Sequence, residues 1–209
     1  MAGFPKRVCI GKNNFKSGKG WEAQIRPCRR MAGRERRDGM FAKGDWIVYG
    51  NSGVCEVKDI MTLNMKGVAQ DRLYYLLSPC HRKDSKIFTP VESDKTVMRA
   101  VLTREEADTL IDSIPEIDEL RIGNDKFREE KYKETVRSCD CRDWVRIIKT
   151  LYMRKEARMA QGKKTTAMDE RYLRMAEDNL YSELSLVLGI PKEEMEGYIT
   201  QRVVELAGK

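Results

Sequence analysis

The residues of this 209-residue chain best equipped for chemistry are six cysteines and a single histidine. Zinc knuckles and redox dithiols separate paired cysteines by two residues. Cys139-Asp140-Cys141 has only one between them, and Cys9, Cys28, Cys55 and Cys80 show no paired spacing. The pattern predicts incidental thiols at a helix start and, with no export signal, reduced cysteines in a cytosol. Cys80-His81 sets a nucleophile beside a base, but no third partner is identifiable to orient the imidazole. Neither common glycine-rich phosphate loop occurs. No catalytic residue, metal, cofactor or small-molecule substrate is therefore expected, and the chain reads as non-enzymatic.

The remaining chemistry is that of charge. Lys and Arg number 40 against 33 Asp and Glu, a net +7, which looks suited to nucleic acid. The distribution changes that picture. Residues 1–39 hold 11 basic and three acidic residues, a net +8 that exceeds the total. Residues 40–120 carry 10 against 14, residues 121–174 carry 16 against 9, and residues 175–209 carry 3 against 7. A basic middle of +7 thus lies between two acidic flanks of −4 each. Charged residues at 35% and the lack of a long apolar stretch argue against a membrane protein.

Residues 1–39 lack helical or strand periodicity and read as a disordered basic extension. At Arg36-Arg37-Asp38-Gly39-Met40 a patterned sequence begins abruptly. Two consecutive Arg codons can be read from a purine-rich ribosome-binding sequence at short spacing before a start codon. Met40 is therefore the expected native start, and the tail a non-native extension.

Two kinds of element must position whatever the charges do. Trp46 to Tyr49, Gly53 to Val57, Leu73 to Leu77 and Lys86 to Thr89 are short β-branched or aromatic runs punctuated by Gly, Asn, Ser and Pro. They predict a small SH3- or Tudor-like antiparallel barrel over residues 40–102, with an open edge that accepts a partner's strand. Leu63 and Met65 beside the turn suit such docking, or pack as ordinary core. From 103 to 209 the period changes to that of helices. Thr103 with Glu106 has capping-box spacing, Asp140 caps the helix bearing Trp144, Thr166 opens another that stops at Gly189, and Pro191 starts the last. The fold class is α+β, a barrel followed by an all-α bundle. The bundle's polar faces carry the basic excess on Lys126, Arg128, Lys131, Lys133, Arg146, Lys149, Arg154, Lys163, Lys164, Arg171 and Arg174, suited to sequence-tolerant, salt-dependent phosphate contact or to plain solvation.

Phe41-Ala42-Lys43-Gly44-Asp45-Trp46-Ile47-Val48-Tyr49-Gly50 with Gly53-Val54, then Tyr74-Tyr75-Leu76-Leu77 and Ile87-Phe88-Thr89-Pro90-Val91-Glu92, resembles the RNA-polymerase-interacting domain of CarD/CdnL bacterial transcription regulators, shared with the transcription-repair coupling factor. Arg128 to Val136, Ser138-Cys139-Asp140 (Ser-Gly-Asp in many members), Leu151 to Lys155 and Glu183-Leu184 are similar to the helical DNA-binding domain of CarD proteins. The resemblance spans about residues 40–190 and leaves the tail outside.

By that resemblance the barrel docks on the polymerase β subunit while the helices touch promoter DNA non-specifically at the upstream edge of the bubble, modulating open-complex stability. The implied polymerase contacts are Leu63, Asn64, Met65 and Phe88, where an Arg is common at the first and last of these. The implied DNA contacts are Lys126, Arg128, Lys131, Arg171 and Arg174, in a cytoplasmic, nucleoid-associated protein. Family members place a Trp wedge just before the basic helix; Asp125 stands there instead. Phe127 is a substitute wedge or, the preferred expectation, a core residue, and Trp144 is expected in the core. A polymerase-bound adaptor with little DNA contact, and a stand-alone nucleic-acid-binding protein, are the competing readings.

Overall fold

The computed structural model describes residues 40–63, 72–80, 85–93 and 95–208. Asn64, Met65, His81 and the basic tail lie outside the described residues. Strands β1 (Trp46–Tyr49), β2 (Val54–Thr62), β3 (Leu73–Pro79), β4 (Ile87–Pro90) and β5 (Met98–Ala100) form one antiparallel sheet in the order β4-β3-β2-β1-β5. Helices α1 (Arg104–Ser113), α2 (Arg128–Arg137), α3 (Cys141–Ala160), α4 (Ala167–Leu188) and α5 (Lys192–Ala207) follow. The fold is α+β, as the change of period predicts. β5 is the element the sequence pattern misses, because three residues are too few to show alternation.

The helix signals work as local hydrogen-bond chemistry requires. The Thr103 hydroxyl accepts from the Glu106 N–H at 3.2 Å while the Glu106 carboxylate accepts from the Thr103 N–H at 2.7 Å, closing the capping box of α1. Asp140 accepts from the Arg142 N–H at 2.7 Å, and Thr166 from the Asp169 N–H at 3.1 Å. Gly189 ends α4 in the left-handed region at φ 73°. Pro191 is the residue before the first turn of α5 rather than within it.

Trp46-Ile47-Val48-Tyr49 does not alternate between apolar and polar residues, and its packing explains why. Ile47, with Cys55, Val57, Tyr75 and Leu77, fills one face of the sheet. Val48 and Val54 point the other way, into the same cluster as Trp144, Leu180 and Leu184 of the helices. β1 and the start of β2 are therefore covered on both faces, which demands apolar side chains at consecutive positions. One of the two hydrophobic clusters is confined to the sheet, and the other runs from Val48 and Val54 into the helices.

The turn between β1 and β2 makes that contact close. Gly53 has φ 65°, and a Cβ there would stand 2.9 Å from Asn179 Oδ1 on α4. At Gly50, φ 43°, a Cβ would meet Thr96 Cγ2 at 2.5 Å. Neither position has room for a side chain.

Candidate functional site

Three places stand out: a free sheet edge, a basic tip at the start of α2, and the buried polar joint between sheet and helices that fixes one relative to the other.

Among the described residues β4 pairs only with β3, which leaves its other side as an edge of the described sheet. Along β4, Thr89 points inward and is 2% exposed, whereas Phe88 points outward and is 46% exposed. Phe88 stands opposite Leu76, and Pro90 opposite Tyr74, so the outer face of this edge is apolar. Leu63, just past β2, is half-buried. Of the four polymerase contacts implied by resemblance, Leu63 and Phe88 are described, and Asn64 and Met65 are not.

The basic tip starts from Asn124, whose side chain accepts from the Lys126 N–H at 2.9 Å and caps a short 3-10 turn over Asp125–Phe127. Phe127 is 63% exposed, which corrects the expectation that it is core. Helical geometry supplies the reason. The inward face of α2 is set by Tyr132, Thr135 and Val136, with Arg128 one turn before, and Phe127, the last residue of the preceding 3-10 turn, lies about 100° around the axis from Arg128 and about 140° from Tyr132. Phe127 borders an open hollow of about 300 Å³ with Arg121, Ile122, Gly123, Asn124 and Lys131. Trp144 is fully buried, as expected, with its indole N–H donating to the Val136 carbonyl at 3.1 Å.

The cations divide into free and committed groups. Among the described residues Lys126, Lys133 and Arg174 are exposed and make no ion pair. Lys131 pairs with Glu134 at 2.7 Å and Arg171 with Glu129 at 2.5 Å, both at the surface, where such pairs contribute little. Arg171 also lies 4.8 Å over the Tyr172 ring. Arg128 is turned inward, its side chain 15% exposed, toward Asp125 at 3.3 Å and Asp169 at 3.9 Å. Lys149 is withdrawn from the surface charge altogether. Its Nζ donates to the carbonyls of Ile114, Pro115 and Ile117 at 3.1, 3.4 and 2.5 Å, and burial lowers its pKa.

At the joint, Arg99 of β5 meets the fully buried Glu183 of α4 in a two-pronged pair, Nη1 to Oε1 at 2.6 Å and Nη2 to Oε2 at 2.7 Å. Its Nε donates to the Cys139 carbonyl at 2.5 Å, and its guanidinium stands 5.6 Å over Trp144. Glu183 also accepts from the Leu102 N–H at 2.9 Å and the Cys141 thiol at 3.2 Å. Cys139 takes φ 58°, a left-handed conformation unusual for a residue with a Cβ, and its thiol donates to the Gly50 carbonyl at 3.5 Å. Gly, which many members of the family resembled above have at this place, adopts this conformation without strain. Burial raises the thiol pKa of Cys139 and Cys141 and pushes Cys55 up to about 12, so these thiols pack rather than react.

Sequence reasoning did not find the pair of Arg99 and Glu183, which are 84 residues apart. One signal was present: Glu183 sits on the apolar stripe of α4 between Leu180 and Leu184, where a carboxylate needs a buried counter-charge.

Residues 41–102 match the family model of the CarD-like/TRCF RID domain, and residues 114–200 match that of the CarD C-terminal domain. No curated protein matches the chain. The two matches occur in the order in which sheet and helices occur, and together they span all of the sheet and the helices apart from α1 and the end of α5. The chain belongs to the CarD-like family of RNA-polymerase-interacting, non-enzymatic transcription regulators.

Proposed function

We propose that the protein docks on the β subunit of RNA polymerase through Phe88 on the β4 edge together with Leu63, Asn64 and Met65, and contacts promoter DNA non-specifically at the upstream edge of the bubble. Lys126, Lys131, Arg171 and Arg174 hold backbone phosphates there, and Phe127 takes the place of the apolar wedge. The observation that carries this reading is Phe127, 63% exposed beside Lys126 and next to a hollow rimmed by Arg121 and Lys131. A large exposed aromatic among cations is the composition of a surface that stacks on an unpaired base while holding its phosphates. Contacts made only with the opened fork shift the closed-to-open equilibrium, tenfold for about 1.4 kcal/mol.

A polymerase-bound adaptor with little DNA contact is favoured by a different observation: Glu129, Glu134 and Asp143 neutralise Arg171, Lys131 and Arg146 on the same surface. Pull-down of the full chain by the polymerase β lobe, repeated with Phe88→Glu and Met65→Glu, tests docking. Capture of the parent and loss in both variants supports it, and no capture of the parent refutes it. Fork-DNA binding at two salt concentrations then separates regulator from adaptor, because an adaptor shows neither affinity nor salt slope.

A further inference from the structure

Asp125 is an acidic residue on a surface expected to face phosphate, and its surroundings explain how that is tolerated. Its Oδ1 lies 3.3 Å from Arg128 Nη1 and 3.9 Å from Arg154 Nη1. The same two guanidiniums turn their Nε atoms inward to Asp169, Arg128 Nε to Oδ1 at 3.9 Å and Arg154 Nε to Oδ2 at 3.8 Å. Two cations are thus held between two carboxylates, one inside and one outside.

The two carboxylates are not equivalent. Asp169 is 1% exposed, so its charge must stay neutralised, and it holds Arg128 and Arg154 in place. Asp125 is 75% exposed and reaches the guanidiniums only at ion-pair distances, without a hydrogen bond to either. An exposed pair of that kind is weak and is screened by salt. Both Nε atoms, both Asp169 oxygens and the Tyr132 hydroxyl are buried without a hydrogen-bond partner, so the interior of this cluster is polar and pre-arranged around the cations. Without Asp125 the cluster carries two positive charges against one negative, opening onto the surface beside Lys126.

We propose that Asp125 is an internal stand-in for a nucleic-acid phosphate: when DNA binds, a backbone phosphate replaces its carboxylate between Arg128 and Arg154. A phosphodiester offers two anionic oxygens to paired guanidiniums and forms charge-assisted hydrogen bonds that the carboxylate does not make here. Empty of DNA, the cations are covered by a carboxylate that discourages adventitious anions; with DNA, Arg128 and Arg154 join the contact surface. The proposal rests on the DNA-contacting reading above, and Asp125 then sets how tightly the tip holds a fork.

The test uses the full chain. Asp125→Asn keeps the side-chain size and leaves the Asn124 cap untouched. Anisotropy with a labelled fork duplex is measured at low and moderate salt, with melting temperature as the folding control. Asp125→Asn is expected to bind about two- to fivefold tighter at low salt with a steeper salt slope. Glu130→Gln removes one charge from an exposed position outside the cluster and reports the general effect of net charge. A gain with Asp125→Asn no larger than with Glu130→Gln overturns the proposal, as does weaker binding at unchanged melting temperature. Asp125→Ser repeats the comparison should the Asn variant melt early. If neither parent nor variants bind the fork, the DNA-contacting reading fails together with the proposal; if the parent binds and Asp125→Asn gives no specific gain, the proposal alone fails.

Discussion

Replacing Glu183 by Gln changes one oxygen to an amide and no volume, so its cost measures the charge at the joint. In the parent, Oε1 receives Arg99 Nη1 at 2.6 Å and the Leu102 N–H at 2.9 Å, and Oε2 receives Arg99 Nη2 at 2.7 Å and the Cys141 thiol at 3.2 Å. Gln keeps an acceptor for the first pair and presents an NH2 group to the second, donor against donor. Arg99 is left with its charge and no anion, the situation that costs about 3–5 kcal/mol for a fully buried pair. The Arg99 side chain is 26% exposed, so water screens part of that loss and about 2–4 kcal/mol is the expected cost. At roughly 2–4 °C per kcal/mol for a protein of this size, the melting midpoint falls by about 4–16 °C. Because the pair joins sheet to helices, the helix signal in far-ultraviolet circular dichroism and the tryptophan emission, to which Trp46 of the sheet and Trp144 of the helices both contribute, should move together in one transition. The double variant Arg99→Met/Glu183→Leu, which removes both charges, should recover much of the loss. A Glu183→Gln protein within about 0.5 kcal/mol of the parent, or one whose sheet and helices melt separately, would refute the reasoning.

Three further outcomes follow from the same structure. Phe127→Ala removes a side chain with few contacts, so stability should stay within about 0.5 kcal/mol while fork binding weakens by about 1–3 kcal/mol, the range for stacking on an unpaired base; equal fork affinity in an anisotropy titration would remove Phe127 as the wedge. Lys149→Met strands three carbonyl oxygens and should cost about 1–3 kcal/mol in urea denaturation without changing the salt slope of DNA binding, and a shallower slope would return Lys149 to the phosphate contacts. Burial pushes the Glu177 carboxyl above its ordinary value; the Tyr152 hydroxyl at 2.9 Å pulls it down, and Glu196 and Asp178 push it up again. The folded state holds this proton more tightly than the unfolded chain, so the stabilisation is complete below the ordinary carboxylate value and is lost as pH rises through the raised one. Glu177→Gln should therefore flatten the pH dependence of stability across that interval and be the more stable protein at neutral pH, and a steeper dependence in the variant would contradict the assignment.

What could be read from the residues in order was what depends on near neighbours in the chain. The caps at Thr103, Asp140, Thr166 and Gly189 are hydrogen bonds across one turn, so their spacing is visible in the sequence. The unalternating run Trp46 to Tyr49 carried the mark of a strand covered on both faces, although its second cover, the helices, is not written beside it. Phe127 was misplaced because its hydrophobicity was weighed without its angle around α2. The ties of Asp125 and Asp169 to Arg154, and of Arg99 to Glu183, join residues distant in sequence. No spacing rule reports which charges a fold brings together, and those encounters decide which cations of the basic segment stay free.

Val48 and Val54, buried among the helices, and Gly53, pressed against Asn179, have a consequence for the history of the chain. The two halves match separate family models and so have the look of units that recombination can shuffle. Here they are poor candidates for exchange. A hybrid that joined this sheet to another helical half would present two valines and a closely packed glycine to a surface shaped for different neighbours. Substitutions in β1, in the β1–β2 turn and in α4 must then be accepted in matched sets, and lineages carrying this protein should show changes at Gly53 and Asn179, or at Arg99 and Glu183, arising together.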